Sequence, residues 1–374
     1  MTGVLSGLRV LELGQVLAGP FVGAIFADLG AEVVKIERPE GGDDARRMGP
    51  AFRHGDSVIF QVFNRGKKSV ALDLRDPADR AAFERLAGGV DILVHNLRPG
   101  VAGSLGIDGP GMCARHPRLI YCAISAFGDR GPKAMDPGFE PLIQAYSGLS
   151  AINGGPDDPP IRAAASLCDQ GTAMWTVIGA LSLLHRRQAT GRGGIVTASL
   201  LETALSWAAQ KIDTLVNTGE APARHRSGHP SLAPYEAFEA ADGAFMICAG
   251  NDRLFAKLAQ VAGRPDWPDD PRFASNRLRL EHKPALLAEL GAVLATRPRA
   301  AWIAALQAAG VPSTPINSLK QALAEPQVRA LGMFQAIPGE DFTLTALPLT
   351  LDGERPCIAA GAPRLGQHTA RETA

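Results

Sequence analysis

Asp169, in the stretch Ala165-Ser166-Leu167-Cys168-Asp169-Gln170-Gly171, opens an apolar segment that runs to Leu184 and is the residue best placed to do chemistry. An acid at the positive end of a helix stays ionised with little water around it, which suits a carboxylate nucleophile or a proton-transfer base. Taken alone, the local sequence favours an N-cap, a position for which Asp is among the best residues. Loop cations that can hold a carboxylate are scattered: Arg46, Arg47, Arg162, Arg224, Arg226 and His229. The five cysteines (Cys113, Cys122, Cys168, Cys248, Cys357) are odd in number and lack a CxxC pair, which argues against a disulfide framework and against a zinc site. They are expected to be reduced core residues, and no metal is expected.

The elements that must position these groups belong to a soluble globular chain. At 374 residues, with 46% apolar and 20% charged residues and a formal net charge of zero, the composition suits roughly two domains at ~150 residues each. No basic excess points to nucleic acid or an anionic membrane, so an anionic ligand must be met by local basic groups. Met1 to Leu13 carries one basic residue and no long apolar run, and no segment reaches the length of a membrane span. A cytoplasmic protein is expected.

Short apolar runs alternate with helix-length segments in the first half. Arg9–Leu13, Val33–Ile36, Val70–Leu74, Ile92–Val94 and Leu119–Ile124 read as buried strands, with helices at Pro20–Leu29 and Asp76–Leu86 between them. This alternation implies an α/β architecture, a parallel sheet wrapped by helices. A further strand is expected at Ile195–Leu200 and one long helix from Leu201 to about Val216. After a polar break, Ala244–Ala249 reads as a strand, Asp252–Val261 as a helix, and Lys283–Ala309 as helical segments broken near Arg297-Pro298. The expected organisation is a large α/β domain over 1–216, a linker and smaller α+β domain over 217–330, and a segment over 331–374 that returns to the large domain.

The glycines after the first strand test a dinucleotide reading. Gly14-Gln15-Val16-Leu17-Ala18-Gly19-Pro20 is neither GxGxxG nor a P-loop, which disfavours a nicotinamide or ATP site. The tight turn into a helix with Pro20 in its first turn is expected to leave backbone N–H groups free for a phosphate or carboxylate.

Several blocks together carry a resemblance. They are Gln15-Val16-Leu17-Ala18-Gly19-Pro20, Ala27-Asp28-Leu29-Gly30-Ala31-Glu32 through Lys35-Ile36-Glu37-Arg38-Pro39, Asn64-Arg65-Gly66-Lys67-Lys68-Ser69 and His95-Asn96-Leu97-Arg98-Pro99-Gly100. Ser125-Ala126-Phe127-Gly128, Thr190-Gly191-Arg192-Gly193, Ala233-Pro234-Tyr235, Gly310-Val311-Pro312 and Ala362-Pro363-Arg364-Leu365-Gly366-Gln367-His368-Thr369 follow in order. The chain resembles, over nearly its whole length, the class III CoA-transferase (CaiB/BaiF) family, which contains formyl-CoA and carnitine CoA-transferases and the 2-methylacyl-CoA racemases. The resemblance implies a Rossmann-like large domain, a smaller domain and an interlocked homodimer.

By the same resemblance Asp169 is the catalytic carboxylate, which passes CoA from an acyl-CoA, with succinyl-CoA a candidate donor, to an acceptor carboxylic acid through an aspartyl-CoA thioester. Covalent catalysis of this kind divides one unfavourable exchange into easier steps, and acyl-CoA serves as substrate with no tightly bound cofactor. The CoA-binding positions implied are Val16, Ala18, Arg38, Leu72, Arg75, Asn96 and Leu97, with Ser104 and Pro137 standing where relatives carry basic residues. Gly250 is the nearest equivalent of a glycine loop that serves the oxyanion. A racemase of this family needs a histidine opposite the aspartate, and Ala126-Phe127-Gly128 occupies that place, so transferase ranks first. Racemisation, with His225 or His229 as the second base, and non-catalytic CoA binding are the alternatives.

Overall fold

The computed structural model describes residues 3–373, which divide into two compact units. The first comprises Met1–Ser150, Arg162–Thr218 and Arg329–Ala374, and the second Ala151–Ile161 and Gly219–Val328.

The first unit is built on a six-stranded sheet, all of whose pairings are parallel. Its strands are β1 (Arg9–Leu13), β2 (Glu32–Glu37), β3 (Lys68–Ala71), β4 (Ile92–His95), β5 (Ile120–Ser125) and β6 (Gly194–Ser199), in the spatial order 3-2-1-4-5-6. Helix α1 (Ala18–Asp28) links β1 to β2, and α2 (Pro77–Gly88), capped by the Asp76 side chain, links β3 to β4. Parallel strands need such crossovers, and strands covered on both faces read as apolar runs, which is why the sequence exposed them. The strand order reverses between β1 and β4, and in open α/β sheets ligands bind beyond the C-terminal strand ends at such a point.

Side chains alternate across each strand. One face of the sheet presents Leu11, Leu13, Val34, Ile36, Val70 and Leu72 to Phe83 and Leu86 of α2 in a continuous apolar core. The other face carries Glu12, Lys35 and Glu37, all buried. Glu12 and Lys35 are register partners on adjacent strands, and Lys35 Nζ lies 2.9 Å from Glu12 Oε1. Gly23 of α1 passes directly over this pair, where any Cβ would collide with the Glu12 carboxylate and sit 2.9 Å from the Lys67 side chain.

Further helices of this unit include α3 (Glu140–Tyr146), α4 (Leu167–Thr190), α5 (Leu200–Trp207) and α6 (Ala209–Thr218). The expected single helix from Leu201 to Val216 is two, interrupted at Ala208. Trp207 is tied down, its indole N–H donating to the Leu167 carbonyl over Gly171, where a side chain would strike the indole ring. Arg329–Ala374 is held against β3: Ser69 N donates to His368 Nδ1 at 3.1 Å and Ala71 N to Thr369 Oγ1 at 2.9 Å.

The second unit contains a three-stranded antiparallel sheet of β7 (Tyr235–Ala240), β8 (Gly243–Cys248) and β9 (Ser313–Pro315), with β8 central. Helices α7 (Asp252–Val261), α8 (Asn276–Glu281), α9 (Lys283–Leu294) and α10 (Arg299–Ala308) pack on it around Phe245, Phe255, Trp267, Phe273 and Trp302. The α+β character of this segment and the break before Arg299 follow the sequence pattern. Among the described residues no helix is long and apolar enough to cross a membrane.

Candidate active site

Asp169 is the third residue of α4, and the cap position belongs to Ser166, whose side chain makes no capping bond. The start of the helix is capped instead by another carboxylate. Glu140, the first residue of α3, accepts the N–H of Cys168 at 3.1 Å and that of Asp169 at 2.7 Å. Gln144, one turn along α3, donates to Glu140 Oε1 at 2.7 Å and ties it to the Ala163 backbone. Glu140 is 5% exposed, and nothing in the local sequence reading singled it out. The available signal was an acid two residues past Gly138 and four before Gln144, the spacing of one helical face.

The Asp169 carboxylate makes no hydrogen bond among the described residues. Burial, and after it the negative charge of Glu140, push its pKa up to about 7. Two acids close together in a poorly hydrated site cannot both ionise freely, and here the capping one is held by hydrogen bonds while Asp169 is left to titrate. Burial and Glu140 also raise the Cys168 thiol, so its sulfur is protonated at neutral pH and is no competing nucleophile.

A cleft of about 410 Å³ opens beside Asp169. Its walls are Gln15–Ala18 after β1, Asn96–Pro99 and Val101 after β4, Ser125 and Ala126 at the end of β5, and 136–140 leading into α3. This is the crevice at the reversal of strand order. Of the positions singled out in the sequence, Asp169, Val16, Ala18, Arg38, Asn96 and Leu97 all line it, and so does Pro137. Leu72 and Arg75 stand outside the lining. Leu72 points to the face opposite the ionic one and is buried in the apolar core, 4% exposed. Arg75 is folded back onto Asp73 through two hydrogen bonds of 2.9 Å.

The wall after β1 is more constrained than its sequence suggests. The Gln15 and Val16 N–H groups, expected to be free for an anion, are consumed internally, by Asn96 Oδ1 at 2.7 Å and Asp43 Oδ1 at 2.9 Å. Asn96 returns a bond from Nδ2 to the Gln15 carbonyl at 2.8 Å, so its amide knits β1 and β4 loops together. His95 beneath it accepts from Leu97 N and pairs through Nε2 with the Tyr121 hydroxyl at 2.7 Å, which donates to Ile107 O. That pattern fixes the Nε2–H tautomer, and burial lowers the pKa to about 4, which keeps the ring neutral.

Cations at the cleft differ in availability. Arg38 donates to Gly42 O and pairs with Asp44 at 2.7 Å while half exposed. Arg98 has no side-chain partner among the described residues and lines the same cleft. Arg46, a sequence candidate for an acceptor carboxylate, is instead a buried strut: it bonds Glu37, Asp56 and Pro363 O and stacks over Phe60. Arg47 is spent on Asp44 and Gly41, and Arg224, within the second unit, on the carbonyls of Asp158 and Pro156.

Within the second unit the loop around Gly250 is held by Arg279, fully buried over the Phe255 ring. Its guanidinium donates to Ala233 O, Phe273 O, Gly250 O and Asp252 Oδ1 at 2.7–3.0 Å. A side chain at position 250 would collide with Leu232. Tyr235, the register partner of Cys248, lies edge-on against the His229 ring. No group of three or more His, Cys, Asp or Glu residues fit to hold a metal occurs among the described residues.

Comparison with known proteins places these features in context. The sequence profile of CoA-transferase family III matches residues 5–369. The acetyl-CoA:oxalate CoA-transferase of Acetobacter aceti is 38% identical over 370 residues, 98% of this chain and 94% of that one. The succinate–glutarate CoA-transferase of Agrobacterium fabrum is 33% identical, again over 98% and 94% of the two chains. A crystal structure of a CaiB/BaiF family protein from Brucella suis superposes with a TM-score of 0.90 at 34% identity, covering 99% of this chain and 98% of that one.

Because Glu140 contributes to the raised pKa of Asp169, Glu140→Gln should move the titration of that carboxyl below about 7. Isotope-edited infrared titration of the Asp169 carboxyl reads the midpoint. An unmoved midpoint would leave burial as the whole cause. The sign for stability follows: a folded-state value above the unfolded one means that stability falls as pH rises between the two.

Proposed function

Because the chain belongs to CoA-transferase family III, we propose that it transfers CoA from an acyl-CoA to a carboxylic acid through a covalent intermediate on Asp169. The observation that carries this reading is the site itself: an unbonded carboxylate at a helix start, beside a capping carboxylate, facing the cleft at the reversal of strand order. Asp169 Oδ attacks the thioester carbonyl, and collapse of the tetrahedral adduct expels CoA thiolate and leaves a mixed anhydride. The thiolate attacks the aspartyl carbonyl, releasing the donor acid and giving the aspartyl-CoA thioester. The acceptor carboxylate displaces the thiolate again to form a second anhydride, and the thiolate then takes the acceptor acyl group and frees Asp169. Each step exchanges one acyl bond for another, so no net oxidant or proton source is needed.

The cleft residues divide the labour of binding. Val16, Ala18 and Leu97 give apolar wall to the nucleotide, Asn96 fixes that wall, and Arg38 and Arg98 meet phosphate. Arg98, free of internal partners, takes over where Ser104 and Pro137 supply no charge. Leu72 and Arg75 have no part in this reading. The acids named in the two relatives described above are short and dicarboxylic, and a small dicarboxylate with succinyl-CoA or acetyl-CoA as donor is the acceptor class proposed. Among the described residues no histidine lines the cleft, which favours transfer over a two-base proton exchange.

We also propose a homodimer. Met174, Trp175 and Ile178 form an apolar patch at helical spacing on α4, with Trp175 46% exposed, and Trp207 is 49% exposed. Apolar side chains of this size are ordinarily covered.

Replacing Asp169 by Ala should lower transfer by about 10⁴ or more, as removal of other covalent nucleophiles does, while CoA binding persists. Retention of a tenth of wild-type activity would sink the assignment. In the wild type kcat/KM should rise with pH through about 7 as Asp169 ionises. Arg38→Ala and Arg98→Ala should each raise KM for acyl-CoA roughly ten- to a hundredfold, the worth of a charge-assisted hydrogen bond, with kcat nearly unchanged. The larger effect is expected at Arg98, since Arg38 shares its charge with Asp44. Sedimentation at low micromolar concentration tests the dimer, and an active species of 39.3 kDa would exclude it.

A further inference from the structure

The wall segment Gln15–Leu17 contains a conformation that its own sequence disfavours. Val16 has φ +64°, the left-handed region that a β-branched side chain enters at a steric cost. Something outside the turn must hold it there. The Val16 N–H is held by Asp43 Oδ1 at 2.9 Å, and the same oxygen accepts from Ala45 N at 2.9 Å. The other oxygen, Oδ2, lies 2.9 Å from Lys35 Nζ. Lys35 Nζ in turn donates to Gly14 O at 2.6 Å and to Glu12 Oε1 at 2.9 Å. One fully buried ammonium therefore hydrogen-bonds the carbonyl before the turn and is ion-paired with the carboxylate that grips the N–H within it.

We propose that Asp43 and Lys35 form a clamp that holds Gln15–Leu17 in the geometry that receives the coenzyme. They are positioning residues: neither lines the cleft, and both act through the Val16 backbone. The inference rests on the reading of that cleft as the CoA site. Its consequence is a separation of effects, because Asp169 is held by a different device, Glu140 on α3, and loosening the turn leaves the nucleophile in place.

The test uses the full-length enzyme, CoA as the titrant in calorimetry, and the kcat against KM split with an acyl-CoA. Asp43→Ala is expected to weaken CoA binding and raise KM on the order of tenfold, with kcat reduced much less. Asp43→Asn, which keeps an acceptor for the Val16 N–H and drops the charge facing Lys35, should fall between it and the wild type. A second background isolates the strain, since glycine takes a positive φ freely. In the Val16→Gly enzyme the further loss caused by Asp43→Ala should be several-fold smaller than in the wild type. Equal losses in both backgrounds, or unchanged CoA affinity in Asp43→Ala, would overturn the clamp.

Hydrogen–deuterium exchange of the peptide spanning residues 13–18 gives a readout independent of CoA. Exchange at Val16 should accelerate in Asp43→Ala, and in Asp43→Asn to a smaller degree, so the milder variant serves if the alanine enzyme fails to fold. Unaltered exchange in the folded variants overturns the clamp. A wild type that does not bind CoA, yet shows the exchange difference, would defeat the cleft reading and leave the clamp standing.

Discussion

The buried ion cluster on one face of the large sheet is the constraint from which the site's geometry follows. Glu12, Glu37 and Asp43 meet Lys35, Lys67 and Arg46 through pairs of 2.6–2.9 Å, so three negative charges balance three positive ones with little water present. Burial lowers Lys67 to about 8, while for Lys35 the pull of burial is outweighed by Glu12, Asp43 and Glu37 and its pKa goes up. Both are ammonium ions at neutral pH. A buried ion pair seldom adds net stability over a well-packed apolar substitute, yet removing one partner costs roughly 3–5 kcal/mol because the other is stranded. The cluster is therefore a costly source of stability, and its ion pairs tie β1, β2 and the loop after β2 to one another.

That arrangement reaches the cleft through backbone. Lys67 donates to Pro20 O at the start of α1 and to Asn64 Oδ1, and Lys35 donates to Gly14 O just after β1, so the strand-to-helix turn is anchored on both sides. Glu37 joins the cluster to the C-terminal segment, since it accepts from Ser69 and from Arg46, which also bonds Pro363 O. Charges almost wholly withdrawn from solvent thus set the shape of the cleft wall. Of the exposed loop cations, Arg38 and Arg47 are engaged by Asp44, whereas Arg98 has no side-chain partner among the described residues.

Much of this was legible in the sequence. The alternation of apolar runs and helices located the parallel sheet, because strands buried on both faces cannot hide their hydrophobicity; the turn after β1 lies on the cleft wall, but its Gln15 and Val16 N–H groups are taken up internally. The charged residues inside those runs, Glu12 in Arg9–Leu13 and Lys35 in Val33–Ile36, were the unread signal. Opposite charges at matching depth in neighbouring strands predict a register pair, and Glu12 and Lys35 are one. Leu72 was misplaced because a residue just past a strand end falls on either face, and alternation puts this one in the core. Arg75 and Arg46 illustrate a different limit. Whether a loop cation is free depends on an acid nearby in space, Asp73 two residues away in one case and Glu37 across a loop in the other.

Glu140 and Asp169 were beyond reach as a pair, since 29 residues separate them and only folding brings the α3 carboxylate to the start of α4. Their roles diverge by environment, not by residue type. Glu140 accepts three N–H donors and is fixed by them; Asp169 has its backbone held and its carboxylate bare. Hydrogen bonds to a carboxylate favour its ionised form, whereas burial beside a like charge disfavours it. On the reading proposed above, Asp169 combines a place in the first turn of a helix with lone pairs free of hydrogen bonds among the described residues, a combination that suits a carboxylate nucleophile. The capping acid therefore does two things with one charge: it holds the helix start that places Asp169, and it raises the pKa of that aspartate.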